Sequence, residues 1–137
     1  MAFRVRRVSY FYLTVPDRPG EAYKLLALFA DRGIKLSAVT AIPTGAEHTQ
    51  LSIVPEDPSH LVAEARRAGL MLDGPHHALL AQGRDDMAAL ADLHRKLYDA
   101  NVNIYAASGV NDGEGHLGYL IYIRPEEFET AAQTLGV

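Results

Sequence analysis

The chain contains no cysteine, which removes disulfide frameworks, thiolate metal sites and cysteine nucleophiles from consideration. No apolar run approaches the ~20 residues that a membrane-spanning helix requires, and the basic amino terminus is not followed by a signal-peptide core. A cytoplasmic protein that engages no membrane is the expectation. Positive charge is also in short supply: 13 Lys and Arg stand against 17 Asp and Glu, for a net charge of −4. Nucleic-acid binders present a basic face, so no nucleic-acid partner is expected. Arg4, Arg6 and Arg7 do cluster, and they are read as a solvated chain end. The sequence has neither a Gly-x-Ser-x-Gly elbow nor a Gly-x-x-x-x-Gly-Lys phosphate loop. Gly109, Gly113, Gly115 and Gly118 imitate a phosphate cradle, but their spacing is wrong and they fall in a strand–hairpin–strand. The paired carboxylates Asp85-Asp86 and Glu126-Glu127 fall at expected helix starts, where they suit the positive end of the helix dipole. Neither catalysis nor a cofactor is expected.

What the chain does have is a script written twice. Phe29 answers to Leu97, Ile34 to Val102, Leu36 to Ile104, Gly45 to Gly113, His48 to His116 and Ile53 to Ile121, an offset of 68 residues (97 less 29, 121 less 53). Beyond Tyr122 the offset drops by one, and Pro58, Leu61, Ala65 and Gly69 match Pro125, Phe128, Ala132 and Gly136. Apolar pattern and turn chemistry carry the match more than identities do. A repeat of this size is one supersecondary unit used twice. The whole, 137 residues with 48% hydrophobic content, is globular in composition. Each half, roughly 65 to 70 residues, is marginal alone and gains from packing on its twin.

The first unit opens with a strand over 8–15, rich in β-branched and aromatic residues, broken by Pro16-Asp17-Arg18-Pro19-Gly20. Ala22, Leu25, Leu26 and Phe29 have the spacing of one buried helical stripe, and Gly33 closes that helix. Ile34, Leu36, Ala38 and Ile42 read as a half-buried strand, and a turn at Pro43-Thr44-Gly45-Ala46 leads to a third strand over 49–54. Asp57 before Pro58 is a helix cap with proline at the first position, and Leu61, Val62 and Ala65 point inward from that helix. Leu70-Met71-Leu72 reads as a short fourth strand. The second unit repeats this with strand 77–82, helix 87–100, strand 102–110, strand 117–123 and a helix opened by Pro125. It lacks most of its last strand, so the first unit, a partner chain or the amino-terminal segment is expected to cover the open edge.

The order βαββαβ with helices on one face of an antiparallel sheet is a ferredoxin-like α+β architecture. It occurs here as two units, 1–73 and 74–137, with their sheets side by side. The run Thr14-Val15-Pro16-Asp17-Arg18-Pro19-Gly20-Glu21-Ala22, followed by Leu26, Phe29, Gly33 and Ile34, resembles the signature of the ACT domain family. There a strand enters an Asp-x-Pro-Gly turn before a helix that ends in Gly-Ile. Ala100-Asn101-Val102-Asn103-Ile104 resembles the family's phrase at the start of the second strand. The resemblance covers the whole chain as two ACT units in tandem, though Asp85-Asp86-Met87-Ala88 stands where the second unit's Asp-x-Pro-Gly belongs.

The resemblance implies a regulatory protein that holds an amino acid or similar small metabolite at the seam between ACT units. The binding turn it implies is Asp17, Arg18, Pro19, Gly20, Glu21 and Ala22, and the facing phrase is Asn101, Val102, Asn103 and Ile104. The reciprocal site, residues 84–88 with 33–36, has lost its glycine and carries Lys35 in place of asparagine. The chemistry of the turn agrees. A helix start offers free N–H groups and partial positive charge to a carboxylate. Gly20 permits close backbone approach, and Asn103 both donates and accepts. Two plainer readings stay open: Asp17 as an ordinary helix cap, and Asn101 as a left-handed helix end equivalent to Gly33.

His48, His116, His76 and His77 raise the possibility of a metal site. No carboxylate completes one at helical spacing, and the four are read as unpaired surface histidines. Tyr10, Tyr12, Tyr105, Tyr119 and Tyr122 are expected to cover the sheet face away from the helices, with Tyr105 and Tyr122 available for docking. The expectation is therefore a ligand-sensing regulatory protein that self-associates and has a regulated partner protein. The alternatives are a structural or protein-interaction module whose ligand site is lost, and a ferredoxin-like metal sensor using the histidines.

Overall fold

A computed structural model describes residues 2–137. Its elements are β1 (Phe3–Pro16), α1 (Glu21–Asp31), β2 (Leu36–Pro43), β3 (His48–Pro55), α2 (Pro58–Ala68), β4 (Asp73–Arg84), α3 (Met87–Asp99), β5 (Ala106–Asn111), β6 (His116–Tyr122) and α4 (Pro125–Thr134). The class is α+β with antiparallel pairing, as expected. No helix among the described residues is long and apolar enough to cross a membrane. Two compact units divide the chain: Ser9–His76, and the residues up to Val8 together with His77–Val137. The divisions fall at 8/9 and 76/77. Both β1 and β4 pass a unit boundary in mid-strand.

In the Ser9–His76 unit the strands follow the order β2-β3-β1-β4. Phe11 pairs with Ile53 and Leu13 with Leu51. Alternation puts these four side chains on the face covered by α1 and α2, where they meet Leu25, Phe29 and Leu61 in one buried cluster. The expected stripe of α1 is narrower than its sequence spacing indicates. Leu25 and Phe29 are buried, whereas Leu26 is 44% exposed and Ala22 is exposed. Helix α2 starts as its sequence requires, with Asp57 accepting a hydrogen bond from the His60 N–H at 3.2 Å ahead of Pro58. Residues 70–72 are not a strand. Leu70 and Leu72 pack on the core from irregular chain while Met71 is 88% exposed. The fourth strand is instead the start of β4, where Gly74 lies against the Phe11 ring and the Tyr10 carbonyl.

In the other unit the order is β1-β4-β6-β5, and the missing fourth strand is supplied by residues 3–8. Phe3 and Val5 enter a core with Leu79, Ala81, Leu93, Leu97, Ile121 and Phe128. The approach to β4 is so close that a Cβ on Gly83 would lie 2.5 Å from the Ala2 carbonyl oxygen. The three arginines are therefore not a solvated end: they lie within β1, where Phe3 and Val5 are buried on one face and Arg4 and Arg6 lie on the other. Arg7 donates to both carboxylate oxygens of Glu129 (2.9 and 2.6 Å) and to the Val137 carbonyl (2.9 Å). The strand expected over 102–110 is shorter. Asn101 has φ 59°, Val102 is buried, and ladder pairing begins at Ala106.

The repeat extends to individual hydrogen bonds. The N–H groups of Gly33 and Ile34 donate to Ala30 and Phe29 (3.2 and 2.9 Å), and those of Asn101 and Val102 donate to Tyr98 and Leu97 (both 2.9 Å). Asp17 N–H donates to the Glu47 carbonyl at 2.8 Å, and Asp85 N–H to that of Gly115 at 2.9 Å.

Two outcomes are expected. Phe3→Ala should cost about 3–5 kcal/mol in denaturant unfolding, the usual range for a ring removed from a core; a loss typical of a frayed terminus would contradict the strand's role. Glu129 is held below the usual carboxylate range, chiefly by the hydrogen bond from Arg7. A depressed carboxylate stabilises the fold above its unfolded pKa of about 4.3, and that contribution is lost as pH falls through the lower folded value. Glu129→Gln should flatten that part of the acid-unfolding profile, and an unchanged profile would count against the pair.

Candidate functional site

The strand-to-helix turn after β1 is exposed from Asp17 to Gly20. It is fixed to the β2–β3 hairpin by the Asp17–Glu47 backbone bond. Gly20 takes the N-cap position of α1 at φ 89°, a left-handed conformation that favours glycine, and no side chain caps the helix. Asp17 is thus not the cap. The Glu21 N–H donates to the Arg18 carbonyl at 3.3 Å, but the N–H groups of Ala22 and Tyr23 have no acceptor among the described residues. Arg18 and Lys24 flank the helix start, both reaching the Glu21 carboxylate, at 3.0 and 3.8 Å. These parts give a helix N-terminus with open donors and cationic surroundings, suited to a carboxylate. Beside it is a cleft of about 380 Å³ lined by Pro16, Asp17, Arg18, Ala46, Glu47 and His48.

The equivalent start of α3 is different. Asp86 occupies its N-cap, and one carboxylate oxygen accepts from the N–H groups of Ala88 (3.0 Å) and Ala89 (3.2 Å). The donors left open in α1 are here satisfied by the chain itself. Asp85 is engaged as well, accepting from the Asn111 amide at 3.2 Å.

Of the phrase Asn101, Val102, Asn103 and Ile104, the structure gives two residues to the fold and leaves two outward. Val102 is buried and Ile104 packs on the same core. Asn101 and Asn103 are exposed, with Asn101 serving as the left-handed helix end equivalent to Gly33. The turn and this phrase belong to different compact units. Lining residues 46–48 were not among the expected site residues. Their signal was the equivalence of the two hairpins, Gly45 with Gly113 and His48 with His116.

The histidines are mostly engaged, contrary to their reading as unpaired. His116 meets Asp112 at 2.9 Å, in a hairpin whose Glu114 and His116 backbone N–H groups hold Asp112 below its usual pKa. His76 lies 3.2 Å from Asp73 with its ring 5.2 Å from those of Tyr10 and Tyr12. His77 packs against Phe128. Among the described residues no group of three His, Asp or Glu side chains is placed to hold a metal ion. Tyr119 is not on the open sheet face. It packs on the helix-side core and its hydroxyl meets His94 at 2.8 Å, with burial raising its pKa. Tyr105 precedes β5 and is 65% exposed beneath the Arg124 guanidinium.

The fold is ACT-like, of the type found in aspartate kinase regulatory domains. No family profile and no curated protein matches the chain by sequence. Among solved structures, a protein from Bacteroides thetaiotaomicron superposes with a TM-score of 0.78 at 14% identity, covering 98% of this chain and 89% of that one. The ligand-free regulatory subunit of aspartate kinase from Thermus thermophilus gives 0.62 at 18% identity, covering 98% and 97%. The corresponding subunit from Thermus flavus gives 0.57 at 15% identity, covering 98% and 95%.

The contrast between the two helix starts has a measurable consequence. Asp86→Ala should cost about 1 kcal/mol as a lost cap, while Asp17→Ala should stay within about 0.5 kcal/mol, as surface changes do. Equal losses in urea unfolding would remove the distinction.

Proposed function

We propose that the chain is a ligand-sensing regulatory protein of the ACT type, without catalytic activity, that binds an amino acid or related metabolite at a seam between ACT units. The observation that carries this reading is the uncapped, exposed start of α1, with Gly20 left-handed and the Ala22 and Tyr23 N–H groups open. The ligand's carboxylate sits on those groups. Asp17, Arg18, Pro19, Gly20, Glu21 and Ala22 form one wall of the site. Asn101, Val102, Asn103 and Ile104 of a facing unit form the other, with Asn103 supplying the polar contact. The start of α3 is closed by Asp86 and does not bind. The regulatory role named for the Thermus structures supports the class of function, and the ligand's identity is left to experiment.

Self-association brings such units together. Apart from Met71, every exposed large apolar side chain among the described residues lies along one of two edges. Tyr23, Leu26, Val39 and Ile42 are on α1 and β2; Met87, Tyr98, Tyr105 and Val110 are on α3 or at β5. Each unit's outer strand, β2 or β5, pairs on one side only. Apolar surface beside an unpaired strand is the signature of an assembly edge.

A thermal-shift screen with the standard amino acids tests the reading. A ligand at a hundred times its Kd adds about 2.7 kcal/mol, a shift of several degrees for a chain of this size. Gly20→Leu should abolish that shift. Its left-handed backbone also lowers the starting Tm, so Gly113→Leu, at φ 76° with equally open surroundings, is the control. It should lower Tm similarly and keep the response. A response retained by Gly20→Leu would place the site elsewhere.

A further inference from the structure

The two units treat one groove in opposite ways. In the unit holding residues up to Val8 and His77–Val137, the surface beside Phe128 of α4 is covered by the chain's own side chains. Arg7 makes its two hydrogen bonds to Glu129 and lies 5.9 Å from the centre of the Phe128 ring, while His77 stacks on that ring at 5.7 Å. The repeat maps this set onto the Ser9–His76 unit. An offset of 68 takes Pro75 to Arg7 and Ser9 to His77, and the offset of 67 in the helices takes Leu61 to Phe128 and Val62 to Glu129. Every replacement is shorter, uncharged or both. What results beside α2 is a cleft of about 380 Å³ lined by Ser9, Phe11, Pro58, Ser59, Val62, Ala63, Arg66 and Pro75.

The lining specifies an occupant. Phe11, Val62, Ala63 and the two prolines make an apolar floor and wall, and the volume is within the range of small-molecule sites. Arg66 is the one charged group on the cleft. It makes no ion pair, side-chain hydrogen bond or ring contact among the described residues, whereas its neighbour Arg67 is tied to Glu64 at 2.7 Å. Ser9 and Ser59 add hydroxyls with no side-chain hydrogen bond among the described residues. A guanidinium with its fork unused beside an apolar wall matches a carboxylate carried on a compact apolar body. A cation is repelled, and a neutral ligand leaves Arg66 unmet. We infer that this cleft is a second small-molecule site, separate from the α1 turn and sharing no residue with it, which takes small aromatic or branched aliphatic monocarboxylates.

Phenylacetate is the probe, titrated into the full chain while methyl resonances of Val62 and Ala63 are followed by NMR. Saturable shifts at those methyls are expected. Affinity should fall about tenfold with phenylacetamide in place of phenylacetate, and about tenfold in Arg66→Gln, the ratio that one charge-assisted contact supplies. Ala63→Phe, which fills the cleft, should abolish binding. Arg66→Gln is an exposed change that leaves packing intact, so the test survives a failure of Ala63→Phe to fold. Gly20→Leu should leave the titration unchanged. Shifts that rise linearly without saturation, equal binding in Arg66→Gln, or shifts confined to residues 17–23 would each overturn the assignment.

Discussion

Residues 3–8 lying along β4 are the contact on which the unit formed with His77–Val137 depends. Among the described residues α4 is the last element of that unit, and without residues 3–8 the ladder groups on that side of β4 would face solvent beside an open core. Phe3 and Val5 close it, each worth about 1.5–3 kcal/mol of transfer free energy on full burial. Arg7 then ties the strand to α4 through a two-point ion pair. Because β1 and β4 each contribute to both compact units, neither unit has its full set of strands unless both strands form.

The two copies differ at the starts of their first helices. The same turn, held to the same hairpin by equivalent backbone bonds 68 residues apart, ends in an uncapped helix in one copy and a capped helix in the other. The difference lies in a few side chains: Pro19-Gly20 against Met87-Ala88, and Asp86 where the first copy has Arg18. Asp86 spends its carboxylate on the chain's own N–H groups. The first copy leaves two of those groups open, with Arg18 and Lys24 nearby. A groove beside the second helix of each copy diverges in the reverse sense, filled by Arg7 and Glu129 in one and left open beside Arg66 in the other. Duplication has thus produced complementary vacancies on a shared scaffold.

Much of this was legible in the sequence because it depends on local chemistry. Asp57-Pro58 dictates a helix start, Gly33 and Asn101 dictate left-handed ends, and the apolar spacing of 8–15 and 117–123 dictates strands. Non-local facts were hidden. Phe3, Arg4, Val5 and Arg6 alternate as a strand does, but Arg7 breaks the pattern, and three arginines in four residues resemble a solvated end unless a partner for Arg7 is known. Leu70, Met71 and Leu72 have strand composition, yet only two of them find the core and none finds a ladder. Leu26 sits one position off the buried stripe, a shift of about 100° that periodicity alone does not resolve. At the candidate site, the turn was visible as Asp17-Arg18-Pro19-Gly20. The contribution of Glu47 and His48 needed the hairpin's position in space.

An amide NMR titration of the full chain with the standard amino acids, one at a time, reads the two helix starts side by side. At least one should give saturable shifts centred on the amides of Gly20, Glu21, Ala22 and Tyr23, while those of Ala88 and Ala89, already held by Asp86, stay still. Shifts at Ala88 and Ala89 of equal size, or no saturable shift at residues 20–23 with any of them, would contradict the proposed site.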